Sequence, residues 1–323
     1  MKILVTGGSG FIGSNFIDYI LHNTSHNIIN VDVLTYAGTS TVDSTFNDRY
    51  TFYKVDIGSY AIENILKRHT PDYIINFAAE THVDKSIGNP SSFVKTNVLS
   101  TYNFIQSVQN YFEKNNSVRF LHVSTDEVYG QLASADPAFT ENTPYAPNSP
   151  YSATKASGDH LVRAFHHTYG LPAIITNCSN NYGPRQYPEK LIPVIIKQAV
   201  QNKKIPIYGT GMNIRDWLYV KDHCEALYLV LTKGTIGGKY NIGGNAERNN
   251  LQVAMSILSL LDKPMSLIEY VKDRKGHDFR YAIDSSYIQQ TLGWTPTVSF
   301  EEGLQHTVKW YMDNMEWVKQ CEH

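Results

Sequence analysis

Tyr151 and Lys155 stand four residues apart in Tyr-Ser-Ala-Thr-Lys, directly after the turn-rich Ala-Pro-Asn-Ser-Pro. On a helix that spacing puts both side chains on one face. A neighbouring ammonium favours phenolate, so the pair predicts a tyrosine whose pKa is lowered toward that of a useful general base. Tyr50 and Lys54 repeat the spacing, but inside a predicted strand, where residues four apart share a face yet sit too far apart to couple in the same way. Position therefore gives the first pair its weight. The apolar run Arg119–Ser124 reads as a strand that delivers Thr125, Asp126 and Glu127 at its end. A strand-end hydroxyl beside a Tyr/Lys pair suits hydride transfer at an alcohol or ketone. Two adjacent carboxyl groups in a cleft titrate apart, one staying protonated as an acid and the other ionised as a base. Two solvated turn carboxylates capping a helix would give the same spacing.

A second constellation opens the chain. The strand pattern Lys2–Thr6 runs into Gly7-Gly8-Ser9-Gly10-Phe11-Ile12-Gly13 and then into a helical pattern, and Gly8, Gly10 and Gly13 satisfy G-x-G-x-x-G. Such a loop provides a tight turn, close approach of a pyrophosphate to bare backbone, and close packing of helix on sheet. The helix N-terminus then offers its free N–H groups to the phosphates. Asp32 follows Gly13 by nineteen residues at the end of a second strand pattern, and no Arg or Lys lies in Asp32–Ser44. A carboxylate there binds ribose hydroxyls and repels a 2′-phosphate, so NAD is favoured over NADP. Asp56, ending the third strand pattern, either reaches the adenine edge or is a turn residue.

The elements that must position these groups alternate in type. Strand patterns at Lys2–Thr6, Ile28–Val33, Thr51–Val55, Tyr73–Phe77, Arg119–Ser124 and Ala173–Asn177 are separated by helical patterns at Phe11–His22, Ile62–His69, Ser91–Tyr111 and Tyr151–Tyr169. This order predicts an α/β fold, a Rossmann-like doubly wound parallel sheet with ligands beyond the carboxyl ends of its strands. After Asn177 the texture shifts to Asn/Gly/Pro-rich turns and shorter segments. The expected division is residues 1–177 as an NAD-binding domain, with later segments free to return to its sheet, and 178–323 as a smaller α/β substrate lobe. Helices are predicted at Pro188–Gln201, Val220–Lys233, Leu251–Leu261 and Phe300–Asn314.

Composition bounds the partners. The 323 residues carry 28 basic against 30 acidic groups, net −2, which leaves no whole-chain field for DNA, RNA or an anionic membrane. Any anion must be held locally, and Lys190, Arg215 and Arg274 are the cations offered by the smaller lobe. Cys178, Cys224 and Cys321 are too few and too scattered for a disulfide framework or a zinc ribbon. His277 and Asp278 lack the further ligands a metal requires. The opening carries neither a signal peptide nor a spanning run, so a cytoplasmic location is expected.

The motifs TGGSGFIG, FAAETHVD, STDEVYG, YSATK, NCSNNYGP, PEKLIP, RDWLYV, YNIGG and DRKGHD follow one another as in the nucleotide-sugar 4,6-dehydratases of the extended short-chain dehydrogenase/reductase superfamily. The chain resembles them from Met1 to about Trp317. STDEVYG together with SNNYGP and PEKLIP is the specific part, whereas the glycine loop and YxxxK mark only the superfamily. The resemblance implies a redox-neutral elimination with a tightly held NAD. Tyr151, assisted by Lys155 and Thr125, takes the C4 hydroxyl proton. Glu127 removes the C5 proton, Asp126 protonates the departing C6 hydroxyl, and hydride returns to C6. A 4-epimerase or simple dehydrogenase shares the scaffold without needing the acid pair, and a non-catalytic NAD(H) sensor would need neither pair.

By matching positions, the resemblance assigns the cofactor to Gly7, Gly10, Phe11, Ile12, Gly13, Asp32, Val33, Leu34, Thr35, Asp56, Ile57, Phe77, Ala78, Ala79, Thr81, Thr96, Tyr151, Lys155 and Asn181. It assigns the substrate to Thr81, Thr125, Asn180, Lys190, Leu191, Pro206, Ile207, Tyr208, Arg215, Asn250, Asp273, Arg274 and His277, with Tyr208 stacking on the base. Two departures, Lys275 in place of the family's proline and Arg185 in place of a tyrosine, imply extra positive charge near the nucleotide. They leave the base and hexose open: dTDP-glucose first, UDP-glucose or UDP-N-acetylglucosamine as alternatives. Helices Ser91–Tyr111 and Tyr151–Tyr169 resemble those that pair subunits, so a homodimer is expected.

Overall fold

Strand alternation sorts the core before any helix packs. In β1 (Lys2–Thr6) Ile3 and Val5 join the apolar cluster on one face of the sheet, with Phe16, Ile17 and Leu227, while Leu4 joins the other, with Ile29, Phe104 and Phe120. A strand buried on both faces belongs in a parallel sheet covered by helices on each side. The computed structural model describes residues 1–38, 44–115 and 118–321. After β1 come α1 (Phe11–Asn23), β2 (Asn27–Asp32), β3 (Tyr50–Lys54), α2 (Ala61–His69), β4 (Tyr73–Asn76), α3 (Val83–Gly88), α4 (Pro90–Phe93), α5 (Thr101–Asn115), β5 (Arg119–Thr125), α6 (Pro150–Tyr169) and β6 (Ala173–Cys178). Each predicted strand and helix in this half is present within a residue or two, save that Ser91–Tyr111 is not one α-helix.

That exception has a cause. Residues Val94–Ser100 form a π-helical turn between α4 and α5. Inside it, buried Asn97 accepts from the Glu80 amide at 2.8 Å and donates to the Glu80 carbonyl at 3.0 Å and the Thr154 hydroxyl at 3.0 Å. A wider turn swings the amide inward, toward the loop after β4 and the start of α6. Such bulges recur at functional sites.

The remaining elements are β7 (Asn180–Tyr182), α7 (Leu191–Val200), β8 (Ile205–Tyr208), β9 (Ile214–Tyr219), α8 (Val220–Lys233), β10 (Lys239–Ile242), β11 (Glu247–Asn249), α9 (Asn250–Leu260), β12 (Ile268–Val271), α10 (Ser286–Leu292), α11 (Phe300–Asp313) and α12 (Met315–Gln320). The main sheet runs β3-β2-β1-β4-β5-β6-β10, parallel throughout. Its seventh strand comes from beyond residue 177, and α8 packs on α1. The chain therefore returns to the first layer between two visits to the second. That second layer has sheets β11-β9-β7 and β12-β8 around a core of Ile192, Ile195, Trp217, Ile257, Phe300 and Leu304.

The strand order reverses between β1 and β4, which is where ligands bind in such sheets. Two glycines make that crevice passable. Gly7 has φ +68°, and a Cβ there would lie 2.7 Å from the Ala78 amide nitrogen; a Cβ on Gly13 would lie 2.3 Å from the Gly7 carbonyl oxygen. Gly13→Ala is expected to force the loop and α1 apart, lowering stability by about 1–3 kcal/mol and weakening dinucleotide binding. Urea denaturation and titration with NAD would check both; a variant of unchanged stability would show that the loop tolerates the displacement.

Candidate active site

A cleft of about 890 Å³ lies over the carboxyl ends of β1, β2, β4, β5 and β6, with the second layer as its far wall. All five residues of the proton-transfer set, Thr125, Asp126, Glu127, Tyr151 and Lys155, line it. So do Gly7, Gly10, Phe11, Ile12, Gly13, Asp32, Val33, Thr35, Asp56, Ile57, Phe77, Ala78, Ala79, Thr81, Thr96 and Asn181. On the second-layer side it is lined by Asn180, Lys190, Leu191, Pro206, Tyr208, Arg215, Asn250, Arg274 and His277. Sequence segments more than 200 residues apart thus converge on one space.

Three expected residues do not face it. Leu34, at φ +54°, donates its amide to Asp32 Oδ1 at 2.8 Å and so shapes the turn. Ile207 is buried in the second-layer core, because alternation on β8 turns Pro206 and Tyr208 outward instead. Asp273 Oδ1 accepts from His277 Nδ1 at 2.6 Å and orients that ring from behind. The two departures also act elsewhere. Arg185 is clamped to α1 by Asp18 at 2.6 Å and Asn15 at 3.0 Å, and Lys275 is exposed outside the cleft lining. Neither adds positive charge to the cleft.

The first-layer half fits a dinucleotide. Gly10, the residue before α1, caps the helix with no side chain, so the first amides of α1 face the cleft uncovered. Asp32, 8 % exposed, accepts from the Ser9 amide at 3.0 Å through Oδ2, which ties the glycine loop to the acidic residue at the end of β2. Its remaining lone pairs face the cleft beside Gly38, as diol recognition requires. Asp56 Oδ1 accepts from the Gly58 amide at 2.7 Å, a turn bond that still leaves this exposed carboxylate on the cleft rim.

The reacting half is built on β5 and α6. Ser149 caps α6 in a reciprocal pair with Ser152, and Pro150 occupies the first turn, the arrangement that fixes a helix start. Tyr151 and Lys155 therefore begin a rigid helix that points into the cleft. Thr125 ends β5, and its hydroxyl lies between the Tyr151 hydroxyl and Asp126 Oδ1, the latter at 3.3 Å. Lys155 Nζ donates to the Val123 carbonyl at 2.8 Å.

The tyrosine's electrostatics run opposite to the sequence expectation. Burial first, then the negative charge of Glu127, pushes the Tyr151 phenol well above its ordinary value, and the Thr125 hydrogen bond offsets this only in part. Lys155 spends its ammonium on Val123 and the groups beneath. A phenolate here needs additional positive charge above the ring. For the acid pair the expected divergence is present. Burial, then the neighbouring Glu127, raises Asp126 well above the carboxylate range, and its Oδ2 has no partner. Glu127 is also raised by burial, but Arg274, Arg215 and Lys190 pull it back. Asp126 thus holds its proton more tightly than Glu127, the inequality an acid and a base acting side by side require.

Those same cations form the far wall. Arg215 is 5 % exposed, held by the carbonyls of Ile214, Phe279 and Asp278 and stacked 4.3 Å from the Tyr281 ring centroid. A buried guanidinium surrounded by neutral acceptors calls for an anion. Lys190 Nζ reaches the Thr81 carbonyl at 2.8 Å, bridging the layers, and Arg274 lies 3.7 Å from Asp84. Tyr208 keeps 39 % of its surface open, with His277 edge-on at 6.3 Å. Spacing could not reveal another group: Tyr36 and Lys85 both bond Glu189, at 2.8 and 2.9 Å, with the lysine over the Tyr36 ring. Glu189 is more than a hundred residues from each of the other two, so only the fold joins them. No cluster of three or more His, Cys, Asp or Glu able to hold a metal occurs among the described residues.

A sheet that cradles a dinucleotide at its reversal point, with proton-transfer groups on the same strand ends, defines the class of enzyme. The chain belongs to the GDP-mannose 4,6 dehydratase family, whose sequence pattern matches residues 4–307. It is 52% identical to dTDP-glucose 4,6-dehydratase of Escherichia coli over 98% of this chain and 95% of that one. Among solved structures, dTDP-glucose 4,6-dehydratase of Bacillus anthracis in complex with NAD aligns with a TM-score of 0.90 at 47% identity, covering 99% of both chains. The Streptomyces venezuelae dTDP-glucose 4,6-dehydratase, also with NAD bound, aligns at 0.94 and 41% identity over 99% of this chain and 100% of that one.

The raised pKa of Asp126 has a consequence for stability. A carboxyl that holds its proton more tightly when folded costs nothing below its unfolded pKa, about 3.9, and destabilises the fold increasingly as pH rises above it. Asp126→Asn removes that cost. Its melting temperature should exceed that of the parent by at least about 2 °C at pH 8 and match it near pH 4. Equal melting temperatures at both pH values would mean that Asp126 is not held protonated.

Proposed function

We propose that the chain is an NAD-dependent nucleotide-sugar 4,6-dehydratase, a hydro-lyase that converts dTDP-glucose to dTDP-4-keto-6-deoxyglucose. The observation that carries this reading is the acid pair: two carboxyl groups of unequal proton affinity stand beside a Tyr/Thr pair in the dinucleotide cleft. A dehydrogenase or epimerase moves one proton at the reacting carbon and has no use for them. Bound NAD supplies the hydride acceptor for C4 and, once reduced, the donor for C6.

The protein's own groups do the rest. Tyr151, oriented by Thr125 and by the rigid start of α6, takes the C4 hydroxyl proton. With C4 a ketone, the adjacent C5 proton becomes acidic, and Glu127, kept ionisable by three cations, removes it. Asp126 carries the proton that the C6 hydroxyl needs in order to leave as water. Arg215, Arg274 and Lys190 hold the diphosphate, and Tyr208 offers an open ring for the base. When hydride returns to C6, Glu127 gives its proton back to C5, which completes the 4-keto-6-deoxy sugar, and cleft walls from both layers keep bulk water from the intermediate.

Partner and place are inferred separately. Val94 and Leu99 of the π turn and Tyr102 of α5 expose 50, 55 and 40 % of their surfaces, as does Tyr169 at the end of α6 at 55 %. An apolar stripe along two neighbouring helices suits a homodimer that buries it. Leu99→Glu should then sediment as a monomer; an unchanged dimer would place the interface elsewhere. No helix among the described residues is long and apolar enough to cross a membrane. From three cysteines scattered along the chain we infer a cytoplasmic enzyme.

Separate incubations with dTDP-glucose, UDP-glucose and UDP-N-acetylglucosamine, followed by mass analysis, test the proposal. Loss of one water from dTDP-glucose is expected. Unchanged mass with altered sugar configuration would mean epimerisation, and no conversion of any of them would leave a sensor. Glu127→Gln should still show transient absorbance of reduced NAD while water loss falls by about 10²-fold or more. Normal turnover by that variant would strip Glu127 of its role.

A further inference from the structure

Behind the cleft, on the inner face of α6, lies a charged group that the reaction as described does not use. Asp159 is 1 % exposed and sits one helical turn beyond Lys155. Its Oδ2 accepts from the hydroxyls of Ser124 at 2.8 Å and Tyr145 at 2.9 Å and from the Asn177 amide at 3.4 Å. Its Oδ1 has no hydrogen-bond partner and lies 3.5 Å from His122 Nε2, which has none either. The arrangement continues across the sheet. Asn76 donates to His122 Nδ1 at 3.1 Å, which leaves the ring proton on Nε2, aimed at the carboxylate, and Asn76 in turn accepts from Thr6 at the end of β1. Two strands thus seat this side chain directly, β5 through Ser124 and β6 through Asn177, while Thr6 on β1 and Asn76 on β4 orient the His122 ring beside it. Ser124, which binds Asp159, is the neighbour of Val123, whose carbonyl takes the Lys155 ammonium.

On its cleft side this carboxylate faces one cation, Lys155, one helical turn away. We propose that Asp159 is a positioning residue for the reaction: from one helical turn away it holds Lys155 as an ammonium, whose direction the Val123 carbonyl sets, and the hydroxyls of Ser124 and Tyr145 with the Asn177 amide hold Asp159. Without it, a lysine that is 6 % exposed would lose its proton to desolvation. Mutual attraction between the two groups opposes the burial of each. The other titratable groups around them are few. Cys178 on β6 and His122 on β5 face the lysine, the first as a buried thiol with its pKa raised to about 12 and the second held neutral by burial. Asp126 and Glu127 lie beyond Cys178. On the far side Tyr145 and Asp159 line a separate cavity of about 390 Å³, with Lys239, Glu141, His160 and Arg163 around it. Lys239 adds positive charge toward Asp159 from β10.

The inference rests on the dehydratase reading, and two variants test it. Asp159→Asn keeps the shape and removes the charge. Holoenzyme carrying it should lose activity on the alkaline side earlier, with the descending limb of kcat against pH moved down by about one unit or more, KM for dTDP-glucose changed less than about twofold, and kcat near that of the parent at the acidic end. Tyr145→Phe touches neither Lys155 nor the cleft. It removes one donor to the carboxylate, so Asp159 protonates more readily and the ascending limb should move up by a few tenths of a unit. A folded Asp159→Asn enzyme with an unmoved descending limb overturns the proposal; should that variant not fold, an unmoved ascending limb in Tyr145→Phe overturns it. A parent enzyme that yields no dehydrated product would instead sink the dehydratase reading, so the two failures are distinguishable.

Discussion

Everything in the site depends on burying ionisable groups at the carboxyl ends of parallel strands without leaving their charges unanswered. Asp126, Glu127, Tyr151, Lys155 and Arg215 converge there, and desolvation is the largest influence on the proton affinity of each. Burial pushes acids and bases alike toward neutral forms. Which of them remains charged is then settled by neighbours: cations beside Glu127, carbonyls around Arg215, and the charge of Glu127 beside Asp126. Proton affinities in the cleft follow from that unequal compensation more than from residue type.

The two-layer construction is what makes the compensation possible. Cations come from the second layer and carboxyls from the first, so the acid–base difference between Asp126 and Glu127 exists only when the layers meet. Strand β10 and helix α8 return to the first layer from late in the chain, which prevents the layers from folding as independent units. The contacts of Lys190 with Thr81 and of Glu189 with Tyr36 and Lys85 cross the same boundary. The cations of the far wall are therefore placed by a layer that is tied to the main sheet at several points.

Much of this was legible in the sequence, because local patterns carry it. The strand pattern Lys2–Thr6, the turn Ala-Pro-Asn-Ser-Pro before the helix of Tyr151, and the glycine loop between strand and helix are each set by short stretches of chain, and each forms as read. The π turn at Asn97 was not legible, since its cause is a pair of partners on Glu80 and Thr154 that no periodicity reveals. Nor was the electrostatic direction at Tyr151. Spacing put an ammonium near the phenol, but the fold aims that ammonium at Val123 and surrounds the ring with carboxyl groups. Arg185, read as charge for a nucleotide, is spent on Asp18.

The sequence by itself determined the elements, the dinucleotide cradle and the identity of the groups able to move protons, because strand and helix periods, caps and glycine turns are short-range requirements. Only the tertiary structure decided which of those groups hold a proton. That property depends on burial and on charges brought from distant segments, such as Arg215 and Arg274 to Glu127 and, beneath the site, Asp159 to Lys155.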